Sequence, residues 1–243
     1  MFDPACSDFT WANPPVVYTI PDATVDIWRI GFDRPDSGED TLSEMERERA
    51  ARFARPEDRR RWSICRAALR WILSRYLSVN PESVEFEILE FGKPRIWRGP
   101  ASSAPAIDFN LSHTRSTALI GITVDNEIGV DVEDIDRSLN PVELAVAVFS
   151  ADETASVVLS APADRLVRFL EIWTMKEAWL KMLGSGLVDN LKSYSILDPS
   201  ALPPLLRPTH IIAVDPGSNL KAALCVRKPI QRVRTFQFRF DAA

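Results

Sequence analysis

Two acidic residues at positions 129–133, in the segment Gly-Val-Asp-Val-Glu, are the first candidates for chemistry in this sequence. Side chains alternate across a β-strand, so Asp131 and Glu133 would share one face while the two valines occupy the other. Two carboxylates about 7 Å apart repel each other unless a cation binds between them. The segment therefore predicts a site for a hard divalent metal ion. The alternative is an acidic, solvent-facing strand edge.

A glutamate and a lysine about forty residues later point to a second part of the same site. Glu177 and Lys181 are four residues apart in a segment with helical apolar spacing, so they would lie along one edge of its apolar face. Lys176 falls in the middle of that face, where a lysine needs an anionic partner. We expect that partner to be a carboxylate of the 129–133 strand or a bound phosphate. A surface ion pair would explain Glu177 and Lys181, but not Lys176.

Polar residues upstream favour a phosphate as the ligand. Ser112 and His113 follow a short apolar strand. A serine directly beside a histidine is unlike a hydrolase triad, whose members come from separate segments. The pair suits a turn that contacts phosphate, with an ordinary polar strand end as the alternative. A Gly-Lys-Pro turn presents one further lysine, Lys93.

The segment from Arg47 to Arg75 is strongly basic. It holds ten arginines and three acidic residues, a local charge of +7 in a chain whose net charge is −5. Such asymmetry indicates an anionic ligand or partner. Arg66 and Arg70 lie one helical turn apart, so we expect both to reach one phosphate, which the guanidinium fork suits. For most of these arginines a solvated helix face is the simpler interpretation.

These residues need a framework of alternating helices and strands. Periodicity and end signals predict helices over residues 41–53, 57–77, 142–149, 151–159 and 163–183. They predict strands over residues 25–30, 84–89, 106–111, 118–124, 128–132, 193–197, 210–214, 222–226 and 235–240. Residues 1–24 are rich in proline and predict an irregular arm, and residues 101–105 predict a linker-like loop.

The composition is that of an ordinary globular protein, with 46% hydrophobic and 26% charged residues. Three widely spaced cysteines indicate neither a disulfide framework nor a zinc site. No apolar stretch reaches about 18 residues, so we expect no transmembrane helix. The N-terminus lacks the basic-then-apolar order of a signal peptide, which makes the cytoplasm the expected location. The negative net charge disfavours nucleic-acid binding.

Together these motifs resemble the Sfp-type branch of the 4′-phosphopantetheinyl transferases. The matching segments occur in the family's order, and they are residues 92–94, 109–114, 129–133 and 173–181, followed by Gly186-Leu187. The resemblance implies a mixed α+β fold of two similar halves in a pseudo-twofold arrangement. Each half would be a helix packed on a small, mainly antiparallel sheet. We assign residues 25–124 to the first half and residues 125–243 to the second.

The resemblance also implies a reaction and the residues that perform it. The 4′-phosphopantetheine group of coenzyme A would pass to a serine of an acyl or peptidyl carrier protein, with Mg²⁺ bound, and 3′,5′-ADP would leave. The implied metal ligands are Asp131, Glu133 and Glu177, and the implied catalytic residues are Glu177 and Lys181. The implied contacts to coenzyme A are Arg49, Arg66, Lys93, Ser112, His113 and Lys181. Trp62 aligns with a position near the adenine.

The implied partner is an acidic helical bundle, which we expect to dock near the basic segment by charge steering. A monomer is expected by family analogy. Two alternatives are another Mg²⁺-dependent phosphotransfer enzyme and a non-catalytic carrier-binding module of the same fold. The sequence contains no Gly-x-x-x-x-Gly-Lys-Ser/Thr phosphate loop, which counts against the first. The presence of three carboxylates and two lysines in the motifs counts against the second.

Overall fold

Helices and strands alternate along the chain in the computed structural model, which describes residues 9–33, 38–90, 92–97, 106–135, 138–184, 188–208 and 210–240. The α-helices are α1 (Glu44–Ala51), α2 (Pro56–Leu77), α3 (Pro141–Val148), α4 (Ala151–Val158) and α5 (Arg165–Leu183). The strands are β1 (Thr24–Gly31), β2 (Phe86–Ile88), β3 (Pro94–Ile96), β4 (Ile107–His113), β5 (Thr117–Val124), β6 (Ile128–Asp134), β7 (His210–Val214), β8 (Leu220–Val226) and β9 (Arg232–Gln237). Short 3₁₀ turns occupy Glu39–Thr41, Pro81–Ser83, Val188–Ser193 and Pro199–Ala201.

Two sheets organise these elements. The first has the strand order β4-β5-β1-β9 and is antiparallel except for the parallel pair of β1 and β9. The second has the order β6-β8-β7 and is antiparallel throughout. Strands β2 and β3 form a separate antiparallel pair. The predicted mixed α+β class with mainly antiparallel sheets is confirmed.

The layers follow from the alternation of side chains along the strands. One face of β1 buries Trp28 against α2. The opposite face buries Val25 and Ile27 against the second sheet, where Val130 of β6 meets them. The far face of the second sheet packs on α5 through residues such as Cys225. The order of layers is therefore α2, first sheet, second sheet and α5.

The helix ends carry the signals that the sequence provides. Ser43 and Glu46 form a capping box at the start of α1, each bonding the backbone N–H of the other. Pro56 occupies the first turn of α2, where the missing N–H costs nothing. Gly184 ends α5 in the left-handed conformation, with φ of 58°. Helix α1 is thus shorter than the predicted 41–53 and begins after its cap, Ser43.

The last strand of the chain belongs to the first sheet. Arg234 of β9 donates two hydrogen bonds to the carboxylate of Asp26 in β1, at 2.6 and 2.7 Å. Next to it, the Phe236 ring lies 4.8 Å from the ring of Trp28. The predicted boundary between the halves at residue 125 places β9 in the second half. In the structure, β9 is an edge strand of the sheet formed by the first half.

Two expectations about the second half are wrong. The ammonium of Lys176 bonds the carboxylate of Glu153 in α4 and the carbonyl oxygen of Tyr194, so its partner is neither on the 129–133 strand nor a phosphate. The other oxygen of Glu153 accepts the backbone N–H of Ile196 at 2.7 Å. Residues 193–197 therefore form no strand, because their backbone groups bond buried side chains instead of a neighbouring strand.

The N-terminal segment is irregular over residues 9–23, where the only bridge to a strand joins Ala12 to Phe236. Trp11 fixes this segment to the β7–β8 turn by donating its indole N–H to the carbonyl oxygen of Asp215 at 3.1 Å. The predicted loop at 101–105 and the pair Gly186-Leu187 lie outside the described residues. None of the helices in the described ranges has both the length and the apolar character needed to cross a bilayer.

The buried pair of Lys176 and Glu153 makes a testable prediction for stability. Lys176→Met leaves the Glu153 charge buried without its cation, so the free energy of unfolding should fall by about 3–5 kcal/mol. Urea denaturation followed by circular dichroism measures this change. The matched control is Lys221→Met, because Lys221 pairs with Glu171 where both side chains are 31% exposed. That change should cost less than about 1 kcal/mol, and equal losses in the two variants would contradict the prediction.

Candidate active site

Side chains of β4 hold the edge of the second sheet. Asp108 accepts the backbone N–H of Ile128 at 3.0 Å, and Asn110 accepts the backbone N–H of Val130 at 2.9 Å. Because alternate residues of a strand share one side, Ser112 is the next β4 side chain facing β6. The two sheets are therefore joined here through side chains, and the same row of side chains leads into the candidate site.

Asp131 lies at the centre of the site and is 4% exposed. Its Oδ1 accepts hydrogen bonds from Ser112 Oγ at 2.8 Å and from Lys181 Nζ at 2.5 Å. Lys181 also donates to Ser112 Oγ at 3.0 Å, which closes a triangle of three side chains. Burial raises the pKa of Asp131, while Lys181 and Ser112 act in the opposite direction. The backbone N–H of Val132 also lowers the pKa of Asp131. Among the described residues, no well-oriented donor bonds its second, buried oxygen, Oδ2.

Gly129 allows α5 to lie directly on β6. A Cβ atom at this position would lie 1.9 Å from the carbonyl oxygen of Ala178 and 2.4 Å from the backbone nitrogen of Met182. Only a residue without a side chain permits this approach. The contact brings the helical turn that carries Glu177 and Lys181 over the strand that carries the acidic motif.

Glu177 is half-buried among the other charges of the site. Burial raises its pKa first, and the negative charge of Asp131 raises it further, with a smaller contribution from Glu133; Lys181 opposes them. Glu133 accepts a hydrogen bond from the indole N–H of Trp173 at 3.1 Å. The three predicted carboxylates therefore face one region from a strand and a helix.

The chemistry of these groups fits a hard divalent cation. Within the described ranges, no three histidine, cysteine, aspartate or glutamate side chains already enclose a metal position. Yet a buried oxygen of Asp131 has no hydrogen-bond partner among the described residues, and burial together with the nearby negative charges raises the pKa of Glu177. A cation among them would satisfy that oxygen and reverse the repulsion. The predicted ligands Asp131, Glu133 and Glu177 thus remain a hypothesis that the site supports.

A cavity of about 450 Å³ opens beside the triangle of Asp131, Ser112 and Lys181. Its walls include several predicted contact residues, namely Arg49, Trp62, Arg66, Ser112, His113 and Lys181. The Arg49 guanidinium lies 5.6 Å from the centre of the Trp62 ring. His113 is exposed and also borders a second cavity, of about 710 Å³, that Glu133 lines. The site is therefore open on two sides of His113.

The arginine pair of α2 does not have the role that we expected. Arg66 and Arg70 both bind the carboxylate of Glu46, which comes from α1. Arg70 is buried and also donates to the carbonyl oxygen of Val84 at 2.8 Å, so it serves the fold and does not reach a phosphate. Arg66 remains in the cavity wall, with its guanidinium 3.7 Å from the centre of the Phe86 ring.

Lys93 does not line the cavity that contains the other predicted contacts to coenzyme A. Its ammonium donates to Asp108 and to the carbonyl oxygen of Ile128, each at 3.0 Å. It lines a different cavity, of about 900 Å³, while its neighbours Gly92 and Pro94 line the cavity of Arg66 and Lys181. Lys93 therefore lies on the opposite face of the β2–β3 hairpin.

Sequence reasoning missed four residues that shape the site. Asp108 and Asn110 share the spacing of Ser112, so the alternation along β4 could have identified them. Trp173 lies one helical turn before Glu177, a spacing that also predicts a shared face. Glu46 could not have been found in this way, because its two arginine partners are 20 and 24 residues away.

Comparisons with known proteins match most of the chain. A family model described as the 4′-phosphopantetheinyl transferase superfamily matches residues 127–225, and a model of the N-terminal part of 4′-phosphopantetheinyl transferase matches residues 37–123. The 4′-phosphopantetheinyl transferase HetI of Nostoc sp. is 33% identical, over 89% of this chain and 93% of the relative. Sfp of Bacillus subtilis is 29% identical, over 84% and 92%. AcpT of Salmonella typhimurium is 38% identical, over 55% and 65%.

The contact at Gly129 yields a prediction about the position of α5. Gly129→Ala places a methyl group against helix backbone, which cannot move aside as a side chain would. We expect the free energy of unfolding to fall by about 1–3 kcal/mol. Urea denaturation followed by circular dichroism measures the loss.

Gly31→Ala is the matched control for this substitution. Its nearest contact would be the carboxylate oxygen of Asp33 at 2.9 Å, at the end of a side chain that can rotate away. The control should stay within about 0.5 kcal/mol of the wild-type protein. A Gly129 variant as stable as this control would show that α5 does not depend on the glycine.

Proposed function

The chain belongs to the 4′-phosphopantetheinyl transferase superfamily and is an enzyme of this class, and we propose that its substrates are coenzyme A and the serine hydroxyl of a carrier protein. The proposed products are the carrier protein bearing 4′-phosphopantetheine and 3′,5′-ADP. The observation that carries this proposal is the cluster of Asp131, Ser112 and Lys181, with Glu177 beside it, at the wall of a cavity lined by arginines.

The proposed reaction is a displacement at the phosphorus that bears the pantetheine. The carrier serine oxygen forms a bond to this phosphorus, and the bond to the oxygen bridging the two phosphates breaks. That oxygen leaves with 3′,5′-ADP, and the serine proton passes to Glu177. Glu177 is the proposed acceptor, directly or through a metal-bound water, because its half-buried carboxylate lies among the charges of Asp131 and Lys181. Lys181 stabilises negative charge on the phosphates.

Mg²⁺ is part of the proposal. Asp131, Glu133 and Glu177 would hold it, and the bound ion would supply positive charge to the phosphates of coenzyme A. The unpaired oxygen of Asp131 supports this assignment. Ser112, His113, Arg49 and Arg66 are the proposed contacts to the cofactor, and Trp62 is proposed to lie near the adenine. Lys93 has less support because it faces another cavity.

The proposed protein partner is an apo acyl or peptidyl carrier protein with an acidic helical surface. Arg52, Arg55 and Arg59 are exposed in the segment between Arg49 and Trp62, two residues that line the cavity. A negatively charged partner approaching this segment would be guided toward the site. A monomeric, cytoplasmic protein remains our proposal for its state and location.

One assay separates this function from the alternatives. The purified protein is incubated with coenzyme A, Mg²⁺ and apo carrier proteins of several kinds, and each carrier is weighed by intact-mass spectrometry. A gain of one phosphopantetheine that EDTA prevents supports the proposal. Binding without any gain would support a non-catalytic module, and modification of another phosphate acceptor would support a different phosphotransfer enzyme.

Loss of a single carboxylate should abolish transfer without unfolding the protein. Glu177→Gln and Asp131→Asn keep the size of each side chain but remove its charge and basicity. We expect kcat/KM for the carrier protein to fall at least about 100-fold. Steady-state kinetics measure the loss, and circular dichroism verifies the fold.

Glu171→Gln is the control, because Glu171 lies on the same helix but pairs with Lys221 and Arg168 instead of lining the cavity. This variant should retain the wild-type kcat/KM. Near-normal turnover by a folded Glu177→Gln or Asp131→Asn protein would refute the assignment of the site.

A further inference from the structure

Trp173 bonds one of the candidate metal ligands from the helix side. Its indole N–H donates to Oε1 of Glu133 at 3.1 Å, which joins α5 to β6. An indole N–H is a donor with a fixed direction relative to its ring. The position of the Trp173 ring therefore sets the direction from which this oxygen of Glu133 accepts the bond.

The Trp173 ring is fixed by two other aromatic rings. Phe169, one turn earlier on α5, lies nearly parallel to it, with the ring centres 6.1 Å apart and the planes at 14°. Phe149, which follows α3, lies 6.5 Å away with the planes at 36°. The two phenylalanines are themselves buried and stacked at 5.0 Å. Rotating the indole would break these contacts, so the direction of its N–H is set by the core.

The spacing along α5 places this bond beside the reacting region. Trp173 and Glu177 are one helical turn apart and so share a face. The hydrogen bond thus holds Glu133 toward the helix turn that carries Glu177, with which it interacts electrostatically. Lys221, directly opposite Glu133 in the sheet, donates to Glu171 at 2.9 Å. The indole is itself neutral, so its hydrogen bond adds no positive charge beside Glu133.

We propose that Trp173 is a positioning residue, whose N–H orients Glu133 for binding a divalent cation together with Asp131 and Glu177. The inference rests on the proposed function, since it takes Glu133 as a metal ligand. Groups that hydrogen-bond a metal ligand set its orientation, and their loss typically weakens metal binding about 10- to 100-fold. A purely structural Trp173 would affect stability but not metal affinity.

Trp173→Phe tests the proposal because it keeps an aromatic ring and removes the N–H. Mn²⁺ serves as the probe metal and is titrated into the protein in the presence of coenzyme A. Electron paramagnetic resonance reads the free Mn²⁺, with a titration of coenzyme A alone subtracted. We expect about 10-fold weaker binding than in the wild-type protein. In the transfer assay, half-maximal activity should need about 10-fold more Mg²⁺, while kcat at saturating Mg²⁺ stays within a few-fold of wild type.

Trp179→Phe is the matched control. Trp179 lies on the same helix, is 1% exposed, and donates its indole N–H to the carbonyl oxygen of Leu206 at 2.7 Å, away from the site. Its replacement removes an equivalent bond and should lower the melting temperature. Its Mn²⁺ affinity and Mg²⁺ dependence should match those of the wild-type protein.

The outcomes separate this inference from the proposed function. A wild-type protein that binds Mn²⁺ but modifies no carrier would contradict the proposed reaction and leave the positioning role standing if Trp173→Phe weakens that binding. A wild-type protein that transfers phosphopantetheine would overturn the positioning role if Trp173→Phe leaves Mn²⁺ affinity unchanged. Equal weakening by Trp173→Phe and Trp179→Phe would also overturn it, because the effect would then come from general destabilisation.

Discussion

The contact between α5 and β6 at Gly129 is the constraint on which the candidate site depends. The backbone of the helix lies where a side chain of the strand would otherwise be. Because side chains alternate along the strand, Asp131 and Glu133 leave β6 on this same face, toward the helix. Glu177 and Lys181 flank the helical turn that makes the contact. A helix held farther away by a methyl group would separate the two sets of charges.

A second constraint joins the two sheets at the same strand. β6 is the edge of its own sheet, yet the backbone N–H groups of Ile128 and Val130 are bonded by the side chains of Asp108 and Asn110. An exposed edge strand would invite pairing with another chain, and these bonds occupy two of its donors. Ser112 continues the row but bonds a side chain, that of Asp131. Along β4, the first two side chains bond the backbone of β6, and the third bonds a side chain. The candidate site therefore begins where the contacts between the two sheets change from backbone groups to side chains.

Local pattern predicts much of this arrangement, because strand alternation and helical spacing do not depend on distant residues. The shared face of Asp131 and Glu133, the placement of Glu177 and Lys181 along one edge of a helix, and the burial of Lys176 all follow from such spacing. The partner of Lys176 cannot be predicted in this way, because Glu153 is 23 residues away. In its local sequence, Glu153 is recognisable only as the glutamate of a capping box at the start of α4. Long-range pairing likewise decides that β9 joins the first sheet. Which acidic side chain pairs with a buried lysine depends on the topology of the fold, and the hydrophobic periodicity of the sequence does not determine that topology.

The two lysines of α5 show how satisfied and unsatisfied polar groups differ in meaning. Lys176 is buried, and both carboxylate oxygens of Glu153 and the carbonyl oxygen of Tyr194 accept hydrogen bonds in a network that joins α4, α5 and residues 194–196. Such a network specifies one packing of the core. Lys181 is 28% exposed at its side chain and bonds Asp131, whose second oxygen has no hydrogen-bond partner among the described residues. Burying that oxygen does not stabilise the fold, because an unpaired buried acceptor destabilises the native state. Ser63 Oγ is also buried without a partner, but a neutral hydroxyl costs less than a carboxylate oxygen. The buried oxygen of Asp131 is therefore the costlier of the two, and it supports our proposal that the acidic motif of β6 binds a cation.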